Sequence, residues 1–218
     1  MDDKVKDVAC EVIEVSAKTA LSLIPVGGEL ISGVWDAIKS NTAQKRLDEW
    51  KALVEERLSK IEITLEDVGN NENFTSAMFQ ATELAIKTAE NKKREYLANA
   101  VLNALTCPME ESLVMIFLNM IEKYTLWHLK ILDFFQNPKK FKGVNVKKYC
   151  MGSPIQVLYD VYPDLKQYES LVNQIVKELY SDGLMNTDSL STMMTADGMV
   201  SSRTTKLGNQ FIKFITEP

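Results

Sequence analysis

The chain has 218 residues and a formal net charge of −5, from 25 basic and 30 acidic side chains. Hydrophobic residues make up 45% of it and charged residues 25%, which is typical of a globular protein and excludes a disordered chain. This length is enough for a substantial core, in one domain or two modest ones. The acidic balance also disfavours general binding to nucleic acid.

The N-terminus, MDDKVKDVACEV, alternates charges and has no secretory signal pattern. No run approaches the ~20 apolar residues that a membrane-spanning helix needs, so we expect a soluble cytoplasmic protein. Three widely separated cysteines, Cys10, Cys107 and Cys150, match no metal or disulfide spacing. We therefore expect buried thiols in a reducing compartment.

Apolar residues recur at helical spacing through residues 1–123, and no β-rich run occurs before Thr125. The clearest stripe is made by Phe74, Ala77, Met78, Ala81, Leu84, Ala85 and Thr88. These patterns predict an antiparallel helical bundle over residues 1–123, joined by short connections.

Residues 124–218 predict a second domain. Helices are expected after Thr125, after Ser153-Pro154 and after Pro163, followed by strands at 184–187 and 199–204 and a closing helix. The two strands are expected to form a hairpin that is the only sheet. In the helix after Pro163, two rows are expected to be buried: Leu171, Ile175 and Leu179, and Val172, Val176 and Tyr180. The predicted fold class is therefore mainly α, with a helical bundle followed by a helical module that carries a small β-hairpin.

This order of elements resembles a winged helix–turn–helix domain. The whole chain is also similar to uncharacterised bacterial proteins that join a helical N-terminal half to such a module. The stretches that carry the likeness are Thr125-Leu-Trp-His-Leu-Lys-Ile-Leu, Gly152-Ser-Pro, Asp182-Gly-Leu-Met-Asn-Thr-Asp and Thr204-Thr-Lys-Leu-Gly-Asn-Gln-Phe. The resemblance implies a winged-helix-like fold and a bacterial origin, but no activity, because winged helices bind proteins as well as nucleic acid.

In a DNA-binding winged helix, the helix after the turn enters the major groove. Here its outward face is expected to carry uncharged polar residues and one lysine, which we treat as candidate partner-facing residues: Ser170, Asn173, Gln174, Lys177 and Ser181. Asn and Gln can read adenine. However, residues 164–203 hold three basic and six acidic side chains, and this excess of acids opposes contact with phosphates.

A basic cluster precedes this module's second helix. Under the alternative reading it contacts a nucleic-acid backbone, and otherwise it is a solvated connecting loop. Its members, with one arginine from the end of the module, are Lys139, Lys140, Lys142, Lys147, Lys148 and Arg203.

His128 is the chain's only histidine, and it shares a helical row with Leu132 and Phe135. We expect it to be buried in an apolar setting. No nucleophile, P-loop or HExxH motif is present in the sequence. We therefore expect no catalytic residue, no metal site, no cofactor and no enzymatic activity.

Three hypotheses about function follow. The first is an intracellular interaction or regulatory protein that docks a protein partner, with homodimerisation left open. The second is a DNA-binding transcriptional regulator. The third is a membrane-active effector of a bacterial defence system, acting through an N-terminal hairpin around residues 21–35, although binding to a membrane is not the favoured expectation because that hairpin's polar face balances acids and bases.

Overall fold

The computed structural model describes residues 10–15, 38–61, 71–107 and 109–216, together with Asp7 and Lys18. The chain divides into two compact units. One comprises Met1–Lys123 with Phe214–Pro218, and the other comprises Tyr124–Lys213. The described residues are mainly helical, and none of their helices has the length and apolar character needed to cross a bilayer.

In the first unit, residues 10–15 are helical, and a π-helical turn, Ile38–Ala43, leads into a series of packed α-helices. These helices are α1 (Gln44–Leu58), α2 (Glu72–Lys87), α3 (Asn91–Thr106) and α4 (Glu111–Lys123). The predicted stripe on α2 is buried from Phe74 to Ala85. Asn71 caps α2, because its side chain accepts the Phe74 N–H at 2.9 Å.

Several buried polar groups in this core form hydrogen bonds. The Trp50 indole N–H donates to the Thr82 hydroxyl at 3.0 Å, and both residues are buried. Asn99 donates to the Ile215 carbonyl at 3.0 Å, and Asn103 donates to the carbonyls of Phe214 and Thr216 at 2.9 Å each. The last carbonyls of a helix have no partner within that helix. These two side-chain amides therefore supply hydrogen-bond donors to the carbonyls at the end of the helix Lys206–Ile215.

The second unit is also built mainly of helices. Its elements are α5 (Leu126–Gln136), β1 (Met151–Gly152), α6 (Pro154–Val161), α7 (Glu169–Ser181), β2 (Met194–Thr195), α8 (Ala196–Met199) and α9 (Lys206–Ile215). Short 3-10 turns occur at Pro138–Lys140, Val146–Lys148 and Pro163–Tyr168. As predicted, α6 begins at Ser153-Pro154, and α7 is followed by Gly183 in the left-handed region with φ +76°.

The sheet differs from the prediction. In the described residues the sheet is an antiparallel pair of β1 and β2, with Met151 opposite Thr195 and Gly152 opposite Met194. The predicted hairpin of residues 184–187 and 199–204 is reduced to an isolated antiparallel bridge between Met185 and Thr204. The expectation that this hairpin forms the only sheet is wrong, because β1 and β2 form the sheet.

Two contacts explain why that hairpin is not extended. The Arg203 N–H donates to the carbonyl of Phe135 at 2.8 Å instead of to a partner strand. Thr195 accepts the Gly198 N–H at 3.4 Å and starts α8, so Met199 ends a helix instead of opening a strand. The first contact diverts a backbone group that a hairpin ladder would need, and the second places Met199 in a helix.

Candidate functional site

The outward face of α7 is the candidate site. Val172, Ile175, Val176 and Leu179 of this helix are buried. The five predicted partner-facing residues lie away from that stripe: Ser170, Gln174, Lys177 and Ser181 are exposed, and Asn173 is half-buried. The helix therefore presents a polar face with a single basic side chain to the solvent.

Large apolar side chains flank this face. Leu171 is 45% exposed, Tyr180 48% and Tyr168 53%. The predicted burial of Leu171 and Tyr180 is wrong, because α7 buries only one narrow stripe. Successive residues on a helix are about 100° apart, so Leu171 lies on the flank of the stripe centred near Val172.

His128, on α5, forms a hydrogen bond that holds α7 in place. Its Nδ1 accepts the backbone N–H of Thr125 at 3.3 Å, so its Nε2 carries the proton that it donates to Glu178 Oε2 at 2.9 Å. The other carboxylate oxygen of Glu178 accepts the Gln174 amide at 2.7 Å. His128 is buried, as predicted, but its setting is polar on both ring nitrogens, and the prediction of apolar surroundings is wrong.

A second contact runs beside the first. Tyr124 stacks on the His128 ring at 5.0 Å between centroids, and its hydroxyl donates to Asp182 Oδ2 at 2.6 Å. Burial, and after it the hydrogen bond to Asp182, raises the pKa of Tyr124. Tyr124 and His128 are thus bonded to Asp182 and Glu178 respectively, which fixes the C-terminal half of α7.

His128 lies in the first turn of α5, and part of its polar surroundings is the N-terminal cap of that helix. The Thr125 hydroxyl lies 2.9 Å from Nδ1, so hydroxyl, imidazole and carboxylate occur in the order that activates a nucleophile. However, Thr125 is the N-cap of α5 and forms a capping box with His128. The backbone N–H of Thr125 shares the single lone pair of Nδ1, so this lone pair already serves the helix cap.

The basic cluster is exposed, but acids lie beside part of it. Lys139 lies 4.0 Å from Asp197, and Lys148 lies 3.6 Å from Asp160. The lysines sit on two short 3-10 turns and the loop between them, and Val146–Lys148 packs against α8. By contrast, α7 packs against α5 and the turn before it.

Arg203 does not belong to that cluster. It is 7% exposed, and its guanidinium donates to the Gly198 carbonyl at 2.8 Å and lies 2.9 Å from the Met194 sulfur. Burial lowers its pKa, and among the described residues no carboxylate forms an ion pair with it. The assignment of Arg203 to a nucleic-acid backbone is therefore wrong, because its charge holds the β2–α8 segment instead.

The cysteines also differ from expectation. Cys150 is exposed, and Cys10 and Cys107 are half-buried, so the prediction of buried thiols is wrong. Burial, followed by a hydrogen bond to Glu55 at 3.2 Å, raises the pKa of Cys10 to about 11. In the described part of the chain, no three His, Cys, Asp or Glu residues cluster as a metal site would require. The N-terminal hairpin hypothesised around residues 21–35 lies outside the described residues.

Comparisons with known proteins found no similar protein. No protein-family model, no curated protein and no solved structure matches this chain.

Proposed function

We propose that this chain is a non-enzymatic interaction protein and that the outward face of α7 docks a protein partner. The observation that carries the proposal is the composition of this face. Its centre is polar, and Tyr168, Leu171 and Tyr180 stand exposed around it. Protein interfaces favour aromatic side chains and carry few charges at their centres, and this face has two exposed tyrosines beside five polar residues of which only Lys177 is charged.

The order of elements supports reading the second unit as a variant of a winged helix–turn–helix module. In this reading α6 and α7 form the helix–turn–helix, and residues 184–204 stand in place of the wing. The two-residue strands are shorter than a winged hairpin would need, so the docking helix, not the wing, is the main contact element. Winged modules serve protein docking as well as nucleic-acid binding.

The contacts of His128 favour a non-enzymatic role. Thr125, Glu178 and Tyr124 surround its ring, and each of them also closes a helix end or joins α5 to α7. The imidazole is only 7% exposed, which leaves little room for a substrate beside it. A structural histidine accounts for all of these contacts.

DNA binding is the second candidate, and the observation that favours it is the exposed basic cluster. Two observations count against it. Arg203 is buried, so residues 164–203 expose two bases, Lys166 and Lys177, against four exposed acids, Asp164, Glu169, Asp188 and Asp197. Gln174, a candidate reader of adenine, is bonded to Glu178. A duplex carries one charge per ~1.7 Å, so an acidic helix is repelled before it can read a base.

Affinity capture with a matched control tests the proposal. Full-length tagged protein is the bait, and the variant Y168A/L171A removes two flanking side chains of the α7 face. We expect the variant to bind its partner at least about tenfold more weakly than wild type does, because interface anchors of this type each contribute more than about 1 kcal/mol. The control is Ile116→Ala, since Ile116 is a 48% exposed apolar residue on α4. Equal capture by both variants would contradict the proposal.

A further inference from the structure

The charged side chains of α7 divide into two groups. The helix carries Glu169, Lys177 and Glu178. Glu178 is occupied by His128 on one oxygen and Gln174 on the other. Glu169 and Lys177 are exposed, and the described residues form no ion pair with either of them. One free acid and one free base therefore stand on the docking face.

Their spacing prevents them from pairing with each other. They are eight residues apart, which corresponds to about 12 Å along a helix with a 1.5 Å rise. They lie within about 80° of each other around the helix axis, and Asn173 falls midway between them in both height and angle. The stripe Glu169, Asn173, Lys177 therefore has an acid and a base at equal distances from a central amide.

We propose that the partner of this face is a second copy of the chain, with the two α7 helices packed antiparallel about a two-fold axis at Asn173. Glu169 of each copy then faces Lys177 of the other, which forms two ion pairs. The two Asn173 amides meet at the axis, where each can donate an N–H to the other's oxygen. The inference rests on the proposed function, since it names the partner of the same face.

The stripe is self-complementary about Asn173, because Glu169 and Lys177 each lie four residues from it on α7. A two-fold interface requires such a self-complementary surface, because residue i meets j while j meets i.

The charges also select the orientation. If the two helices packed in parallel, Glu169 would face Glu169 and Lys177 would face Lys177. Like charges in contact oppose association, so the parallel arrangement is disfavoured. Only the antiparallel arrangement joins each free acid to a free base.

Charge reversal tests this pairing. In E169K and in K177E, both ion pairs of the homodimer become like-charge pairs. When the two variants are mixed, a copy with lysine at both positions faces a copy with glutamate at both positions, so both contacts become attractive. The controls are Asp188→Lys and Lys206→Glu, which make the same charge changes at exposed positions outside α7. Sedimentation velocity of the full-length chain over a concentration series measures the dimer dissociation constant.

We expect wild-type protein to dimerise, each single reversal to weaken dimerisation about tenfold, and the mixture to restore it as a heterodimer. Both controls should dimerise as wild type does. A wild-type chain that stays monomeric at about 200 µM, or single reversals that leave the dissociation constant unchanged, would overturn the inference. If the chain is monomeric and Y168A/L171A still loses a different captured protein, this inference fails while the proposed function stands.

Discussion

His128 donates its Nε2 proton to Glu178 across 2.9 Å and so joins the first turns of α5 to the last turns of α7. A parallel contact joins Tyr124, which precedes α5, to Asp182, which directly follows α7. These contacts occupy the carboxylates of Glu178 and Asp182. The charged side chains that α7 can offer to a partner are therefore Glu169 and Lys177.

Replacing His128 by alanine should destabilise the chain by about 2 kcal/mol. The change removes a hydrogen bond to a carboxylate and the stacking on Tyr124, and it takes one donor away from the half-buried Glu178. Urea denaturation followed by circular dichroism measures the change. Glu178→Gln is the matched variant, because it keeps an acceptor for His128 and should cost less. A free energy of unfolding within about 0.5 kcal/mol of wild type for H128A would contradict this role.

Arg203→Ala should lower the free energy of unfolding by about 1–2 kcal/mol without changing contact with DNA. The Gly198 carbonyl loses one donor and keeps the Ser201 hydroxyl, while no exposed positive charge is removed. Fluorescence anisotropy with random duplex at ~150 mM salt should show only weak, salt-sensitive binding for both proteins. Sub-micromolar binding that disappears in N173A/Q174A would instead make α7 a reader of DNA.

The two amides at the end of α9 should differ in their contribution. Asn103 donates to two carbonyls, so Asn103→Ala should cost about 2 kcal/mol. Asn99 donates to one, and its own carbonyl oxygen is buried without a hydrogen-bond donor, so Asn99→Ala should cost less than about 1 kcal/mol. Thermal denaturation of both variants gives the order directly. A larger loss for N99A would show that the helix end is held by other contacts.

Stability should fall at alkaline pH. Burial, and then the hydrogen bond to Asp160, raises the pKa of Tyr149 from 10.0 to about 12, and Tyr124 shifts in the same direction. The unfolded chain loses these protons near pH 10, while the folded chain keeps them. The folded state therefore binds more protons, and the free energy of unfolding decreases between about pH 10 and pH 12.

Tyr149→Phe and Tyr124→Phe remove the titrating groups and should flatten this decrease. Urea denaturation from about pH 8 upward compares the slopes, and the value near pH 8 sets the baseline for each variant. Slopes equal to the wild-type slope would mean that neither hydroxyl keeps its proton by virtue of the fold.

Local sequence patterns predicted the helices well. The stripe from Phe74 to Ala85 is buried and Ser153-Pro154 begins α6, as expected. Helical periodicity and capping depend on residues within one or two turns, so the sequence alone carries them. The extent of the β structure could not be predicted in this way, because it depends on the long-range bond from Arg203 N–H to Phe135.

The site was predicted only in part. The outward placement of Ser170, Gln174 and Lys177 follows from the helical period, but the exposure of Leu171 and Tyr180 depends on how narrow the packed stripe is. The contacts of His128 were missed. A signal for them exists, since Tyr124 and His128 have the same four-residue spacing as Glu178 and Asp182. Two pairs of residues with this spacing can form two side-chain contacts between neighbouring helices. Predicting those contacts requires knowing which helices pack together.

Site-specific photo-crosslinking in the cells that express the chain tests the docking surface most directly. A photoreactive residue at Ser170 or Ser181 reports what covers the α7 face, and one at Lys147 reports what covers the basic cluster. We predict protein adducts from Ser170 and Ser181 and none from Lys147. Nucleic-acid adducts from Lys147, or the absence of protein adducts from both serine positions, would contradict the proposal that α7 docks a protein.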